Sequence, residues 1–385
     1  MNCNIKSIYL SATLCTVATF AQVAVTQTTA PVAYVYVSNT LTGTTSEVTA
    51  YAASKNGKLS PISGSPFPAD LDSMSVNGKY LFGSNSNGLY IDTYTIEADG
   101  SLRYAAATDI VNNNPNGCGN SGPLFLDHTG ATLYDLEFRG DCANNAYQSF
   151  NVNKPTGQLQ NLGSSGPNAW LTLPATFIGN DVYGYSASCL GDMYWGIYSF
   201  KRGSNGLLTE IDANAAPPTP PTGYFYCPSQ AAADPTNHVA ITMQPVNQSN
   251  FSPDRPAQLA SYTADAAGDL VTTNTDANMP QTLVGTVNVI NMAPSGKLLA
   301  VGGSKGLQVF HFNGSQPITH FTGLLTTASI DQFFWDNTNH LYAISNAAGK
   351  LYVFTVTPTG AEQAPGSPYS IHAPHNMIVQ PMPRY

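Results

Sequence analysis

Side chains able to do acid–base chemistry are few in this chain. His375 opens a short apolar run, HNMIVQP, with His372 just upstream. An imidazole there could act as a general base, because its ordinary pKa lies near neutrality; a solvated loop histidine is the plainer reading. Asp70 and Asp72 lead into one such run and Asp331 into another. Brought together, these carboxylates could hold a cation or accept hydrogen bonds from sugar hydroxyls; capping of turns and strand ends uses Asp equally well. Arg139 and Asp141 stand beside Cys142, and Trp170, Tyr224 and Tyr226 precede later apolar runs. Aromatic and polar side chains gathered at one mouth could hold a sugar ring or an extended peptide, although packing between elements needs the same residues. His128, His238 and His340 fall in turns and are expected at the surface, and His311 and His320 in outer strands. There is no GxSxG elbow, P-loop, GxGxxG or HExxH stretch, which leaves serine-hydrolase and nucleotide chemistry without support. There is also no calcium loop of the DxDxDG type, and no cofactor or metal is expected. The candidate ligand-binding set is Asp72, Arg139, Asp141, Trp170, Tyr226, Asp331 and His375, with His375 the one catalytic candidate.

The elements that position these residues are short strands. Ile330 to Ser370 reads as four in a row: IDQFFW, LYAIS, LYVFTVT and a weaker fourth, separated by DNTNH, NAAGK and PTGAE. β-Branched and aromatic residues fill the strands, while Asn, Asp, Gly and Pro fill the breaks. Such a unit has open edges and needs neighbours. The chain supplies them by repetition. An aromatic strand end followed by Gly recurs at Gly57, Gly100, Gly157, Gly206, Gly268, Gly314 and Gly360, at intervals of 43 to 62 residues. Glycine suits a hairpin turn that needs positive φ, and the interval is that of a propeller blade. A second hairpin recurs at Val76, Asp127, Ile178, Asp234, Pro294 and Asp336.

The first unit lacks that hairpin, for the chain begins directly at a second strand, AYVYVSN. His375 to Pro381 is a strand with no unit of its own. The expected architecture is therefore all-β: a seven-bladed β-propeller closed by the C-terminal strand pairing into the N-terminal blade, which removes the edges of a linear array. Expected blade spans are 33–70 with 375–381, then 71–111, 120–164, 173–213, 224–279, 286–326 and 328–370. Gln244 to Gln258 is expected as a long loop within blade five.

A four-stranded blade sorts its loops onto two faces. Connections between blades, and those joining second to third strands, share one face, here called the loop-rich face. Cys118, Cys142, Cys189 and Cys227 all fall there, which points to Cys118–Cys142 and Cys189–Cys227 bridges, with cross-pairing between blades three and four left open. The cysteine spacings fit no zinc pattern.

Only 10% of the residues are charged, against about 25% in an ordinary globular chain. The formal net charge is -9, and no basic stripe is present to suit nucleic acid. Residues 1–21 read as a signal peptide cleaved after Ala21, 22–32 as a lead, and 33–385 as the propeller. An uncleaved anchor is the alternative. No later apolar run is long enough to span a bilayer. An even number of cysteines in an exported chain favours disulfides, so a periplasmic or secreted location is expected, and a closed ring can stand as a monomer.

VYVSN followed by VTAYAASKNGKLSPISGSPFPA, together with PSGKLLAVGGSKGLQVFHF and KLYVFTVTPTGAEQAPGSPYS, resembles the lactonase-like seven-bladed propellers, which include 6-phosphogluconolactonases, carboxymuconate cyclases and YVTN-type repeats. The resemblance covers essentially the whole chain after the lead. It implies a His-rich lead-in to the middle blades and a Glu and an Arg facing the channel. Here the lead-in to blade three is GCGNSGPLFLD, and Asn168-Ala169 follows Gly166-Pro167 where the family has Arg-His. The strand that should carry an Asn-Glu pair reads VYGYSASCLG. No catalytic residue carries over. The expected function is therefore a non-catalytic lactonase-like propeller that binds a small polar ligand or a protein on its loop-rich face. The alternative is a lactone hydrolase or related cyclase with a rebuilt site.

Overall fold

A computed structural model describes residues 30–39, 46–110, 121–137, 145–166, 171–190 and 194–383. All regular elements among them are strands, arranged as seven antiparallel sheets in chain order. No helix among these residues is long and apolar enough to cross a membrane. Each sheet is one blade, and the blade boundaries follow the spacing of the turn glycines. The proposed signal and lead, apart from Ala30, Pro31 and Val32, lie outside the described residues.

The ring is closed by its two ends. Ala33–Asn39 pairs antiparallel with Pro374–Pro381, Val35 facing Val379. On its other edge the same strand pairs with Glu47–Ala53. Every residue of Ala33–Asn39 is buried, because both faces of a blade are covered by neighbouring blades. Val35 and Val37 pack toward blade seven, against Tyr342, Ile344 and Val353. Tyr34 and Tyr36 pack toward blade two, against Leu81 and Tyr94. The core is thus divided among the seams between blades, one apolar cluster to each.

The turn glycines serve these seams. Gly100 has φ +84° and Gly268 φ +95°. A Cβ on Gly100 would stand 2.6 Å from the Tyr34 ring, and one on Gly268 2.8 Å from the Tyr183 ring. Three of the turns also offer the glycine carbonyl to a tyrosine of the preceding blade: Tyr36 Oη donates to Gly100 O at 2.9 Å, Tyr134 to Gly206 O at 2.8 Å and Tyr185 to Gly268 O at 3.0 Å. The aromatic-then-glycine marker therefore reports contact between blades as well as turn conformation.

Two histidines depart from expectation. His340 is buried and lies 2.8 Å from the Asp336 carboxylate through Nδ1, and Asp336 also accepts from Tyr342 Oη. His238 makes the corresponding contact with Asp234 at 3.0 Å. In both turns an Asp-x-Thr-x-His arrangement locks the hairpin, the Asp accepting backbone N–H groups two and four residues on. Only His128 of the three is largely exposed, paired with Asp181 at 2.7 Å.

Blade five also differs. Tyr224–Ala233 and His238–Asn247 are each ten residues long, so strand continues into what reads as loop from Gln244 onward. This longer arm carries Tyr226 and Cys227 inside a strand, paired opposite Pro245 and Gln244.

Removing the closing strand by truncation after Ala373 should abolish cooperative folding. It exposes an edge of Ala33–Asn39 and withdraws the buried Met377, Ile378 and Val379, a loss of roughly 4.5 to 9 kcal/mol at about 1.5–3 kcal/mol per side chain. Circular dichroism with urea melts would check this; a truncated chain that melts at the intact chain's midpoint would contradict it.

Candidate functional site

Seven inner strands surround a central channel with a cavity of about 810 Å³. One edge of each inner strand pairs within its blade, so the other turns toward the channel with its backbone N–H and C=O groups. Side chains from neighbouring blades take up some of these. Leu124 N donates to Ser73 Oγ at 2.9 Å across blades two and three, and Ala233 N to Thr176 Oγ1 at 2.9 Å across four and five. Gln230 Nε2 donates to Asn288 O at 2.9 Å, Asn288 Nδ2 to Ile330 O at 2.9 Å, and Met377 N to Gln332 Oε1 at 2.8 Å. These polar side chains stitch the wall and also line the cavity. Sequence reasoning missed them. The available signal is a Ser, Thr, Asn or Gln near the start of several inner strands, as at Ser73, Thr176, Asn288 and Gln332.

His375 and Asp72 come together. His375 Nε2 lies 2.5 Å from Asp72 Oδ1, joining blade one to blade two at the loop-rich end. Their neighbours Asn376 and Ser73 line the cavity, so the pair stands at its rim. Ala373, two residues before His375, has φ +42°, a conformation uncommon for a residue with a side chain. The Asp72 hydrogen bond raises the His375 pKa above its ordinary 6.5, against a lowering by partial burial. The side chains are 41% and 49% exposed, so solvent screens the attraction and the pair adds little stability. What it does add is present below the ordinary His value and fades as pH rises through the raised one.

Asp331 lines the cavity at the same end, one carboxylate oxygen accepting Asn346 N at 2.7 Å. Asp70 instead accepts from Ser86 Oγ at 2.6 Å. Asp70, Asp72 and Asp331 thus take separate partners, and among the described residues no group of three or more His, Cys, Asp or Glu is placed to hold a metal. Tyr226 is not at the mouth. It is 1% exposed in the seam between blades four and five, its hydroxyl 2.8 Å from Gln258 Oε1 and 3.1 Å from Asp276 Oδ1. The lengthened arm of blade five draws it inward. Arg139, Asp141 and Trp170 lie outside the described residues, as do Cys118 and Cys142. Cys189 and Cys227 form a disulfide with a Cα–Cα distance of 5.3 Å, tying blade four to blade five.

One buried acid lies behind the lead-in to blade three. Asp135 is fully buried. Its Oδ1 accepts from Ser121 Oγ at 2.8 Å and Gly122 N at 3.0 Å. Its Oδ2 has no partner. Burial pushes its pKa up to about 8, with hydrogen bonds from Gly122 and Ser121 opposing and the Glu137 charge adding. Asp135 is therefore mainly protonated at neutral pH.

No protein-family model matches the sequence, and no curated protein does. Solved structures do. A provisionally assigned 6-phosphogluconolactonase from Bacteroides uniformis superposes with a TM-score of 0.65 at 13% identity, covering 90% of this chain and 99% of its own. One from Bacteroides fragilis gives 0.61 at 13%, covering 90% and 97%. A hypothetical selenium-binding protein from Sulfolobus tokodaii gives 0.63 at 9%, covering 91% and 93%. At such identities the likeness establishes architecture, and chemistry must be argued from the site.

Two outcomes are expected. Asp72→Asn should return the His375 pKa toward 6.5, read by NMR titration of the imidazole; an unchanged value would mean that the pair does not form in solution. Asp135→Asn should flatten the loss of stability between about pH 4 and 8. A raised carboxyl pKa makes stability fall with pH across that window, by up to about 1.4 kcal/mol per pH unit. Urea melts at pH 5 and pH 8 would show it. By fold, the chain is a seven-bladed β-propeller, similar in architecture to these solved structures.

Proposed function

We propose that this protein is a binding propeller, taking a small polar ligand at the loop-rich mouth of its channel without turning it over. The supporting observation is the makeup of that mouth. The cavity of about 810 Å³ is in the range of small-molecule sites, and its loop-rich end presents amide side chains, Gln230, Asn288, Gln332 and Asn376. Amides on a rigid wall recognise hydroxyls and carbonyls. They supply neither a nucleophile nor a base. The Cys189–Cys227 bridge suits an oxidising compartment, in keeping with an exported protein.

A second reading is a lactone hydrolase, favoured by the His375–Asp72 pair. Asp72 would orient the ring, His375 would take a proton from water, and hydroxide would add to the lactone carbonyl, opening the ring as its oxygen leaves and is protonated. Catalysis would also need donors aimed at the developing oxyanion.

Calorimetry with neutral sugars and lactones should reveal at least one ligand whose affinity falls about tenfold in Asn288→Ala, with no turnover in a pH-stat. Lactone hydrolysis above the spontaneous rate, abolished in His375→Ala and Asp72→Asn, would establish the hydrolase reading instead.

A further inference from the structure

The cavity wall carries more information than its volume. Among the described residues that line it, no Lys or Arg is present, and the titratable groups are His128, Asp234 and Asp331. His128 and Asp234 lie toward the hairpin end. There His128 Nδ1 is 2.7 Å from Asp181, and Asp234 is held by Thr236 and His238. Asp331 stands at the loop-rich end with one carboxylate oxygen on Asn346 N. A phosphate ester entering from that end would pass the His375 imidazole, already engaged by Asp72, and then meet the Asp331 carboxylate with no guanidinium or ammonium among the described lining residues, although charge-assisted donors are the usual means of holding such a group.

The amides add a direction. Gln230 and Asn288 each use their N–H₂ group on a neighbouring blade, and Gln332 uses its oxygen. What remains for a ligand is Gln230 Oε1, Asn288 Oδ1 and the second Asp331 oxygen as acceptors, with Gln332 Nε2 and the second N–H of Gln230 and of Asn288 as donors. The rim is thus neutral in its amides and carries one carboxylate, Asp331. Deeper in, Met74, Leu124, Phe177, Ile290, Met292 and Phe333 contribute to the lining, giving an apolar sleeve beneath the polar rim.

From this wall we infer that the channel takes an uncharged or singly cationic ligand with an apolar body, its hydroxyls or ammonium at the rim, and turns away phosphate esters. The inference rests on the binding reading above. It also sets this chain apart from what the names of its structural neighbours suggest, since a 6-phosphogluconolactonase acts on a phosphorylated sugar lactone.

The test is calorimetry on the full chain with four probes: phenyl β-glucoside, its 6-phosphate, phenethylamine and glucose. The glucoside or the amine should bind at least tenfold more tightly than the phosphate ester. The glucoside should exceed glucose by a similar factor, reporting the sleeve. The glucoside and amine arms separate hydroxyl from ammonium heads. Asp331→Asn should shrink the discrimination against the phosphate ester severalfold while leaving the gain from the phenyl group intact. A phosphate ester that binds as well as the glucoside would overturn the inference and leave the binding reading standing. If no probe binds, both fall.

Discussion

The structure depends on the pairing of Ala33–Asn39 with Pro374–Pro381. Seven antiparallel sheets in a row would leave a blade face uncovered at each end, and each of those faces is apolar. Pairing the two chain ends makes one blade from both, so that every face meets another. The constraint is geometric before it is energetic: the apolar area of each blade is split between two seams, and no blade can satisfy both unless the row becomes a ring. The closing strand therefore does more than its own contacts suggest, because it brings blade seven against blade one.

Three seams share a common construction. Tyr36, Tyr134 and Tyr185, on second strands, reach into the glycine turns of the next blade, and the carbonyls of those turns accept their hydroxyls. Asp-x-Thr-x-His turns lock two of the first hairpins from within, which explains why histidines that look like surface residues in sequence are spent on structure. With only 10% charged residues, the molecule leans on neutral hydrogen bonds of this kind. Each contributes about 1 kcal/mol net, and their value lies in fixing how blades sit against one another.

The channel follows from the same rules. Its wall is made of strand edges, so backbone groups must be answered there, and Ser73, Thr176, Gln230, Asn288 and Gln332 answer several of them. Using one end of an amide for the wall leaves its other end for a ligand. Architecture and recognition are thus joined in the same side chains, which is why the fold can be shared with proteins of 9–13% identity while the site need not be.

The sequence by itself determined the number of blades and the split first blade, because these follow from repeat spacing; it put Cys189 and Cys227 on one face with the other cysteines, and the structure decided that they pair. The sequence put His375 and Asp72 each at the start of an inner strand, and the structure brought the two together. Only the tertiary structure decided what each polar or aromatic residue does. Ala33–Asn39 is buried along its whole length, so the alternation that marks inside from outside in a half-exposed strand is missing, and pattern cannot say which seam a side chain enters. Tyr226 looks like a mouth aromatic until two ten-residue strands carry it inward. Asp135 looks like any strand aspartate until Ser121 and Gly122, at the lead-in to its own blade, close over it. Burial on both faces is set by neighbours about one blade away in the chain, and local sequence carries no record of them.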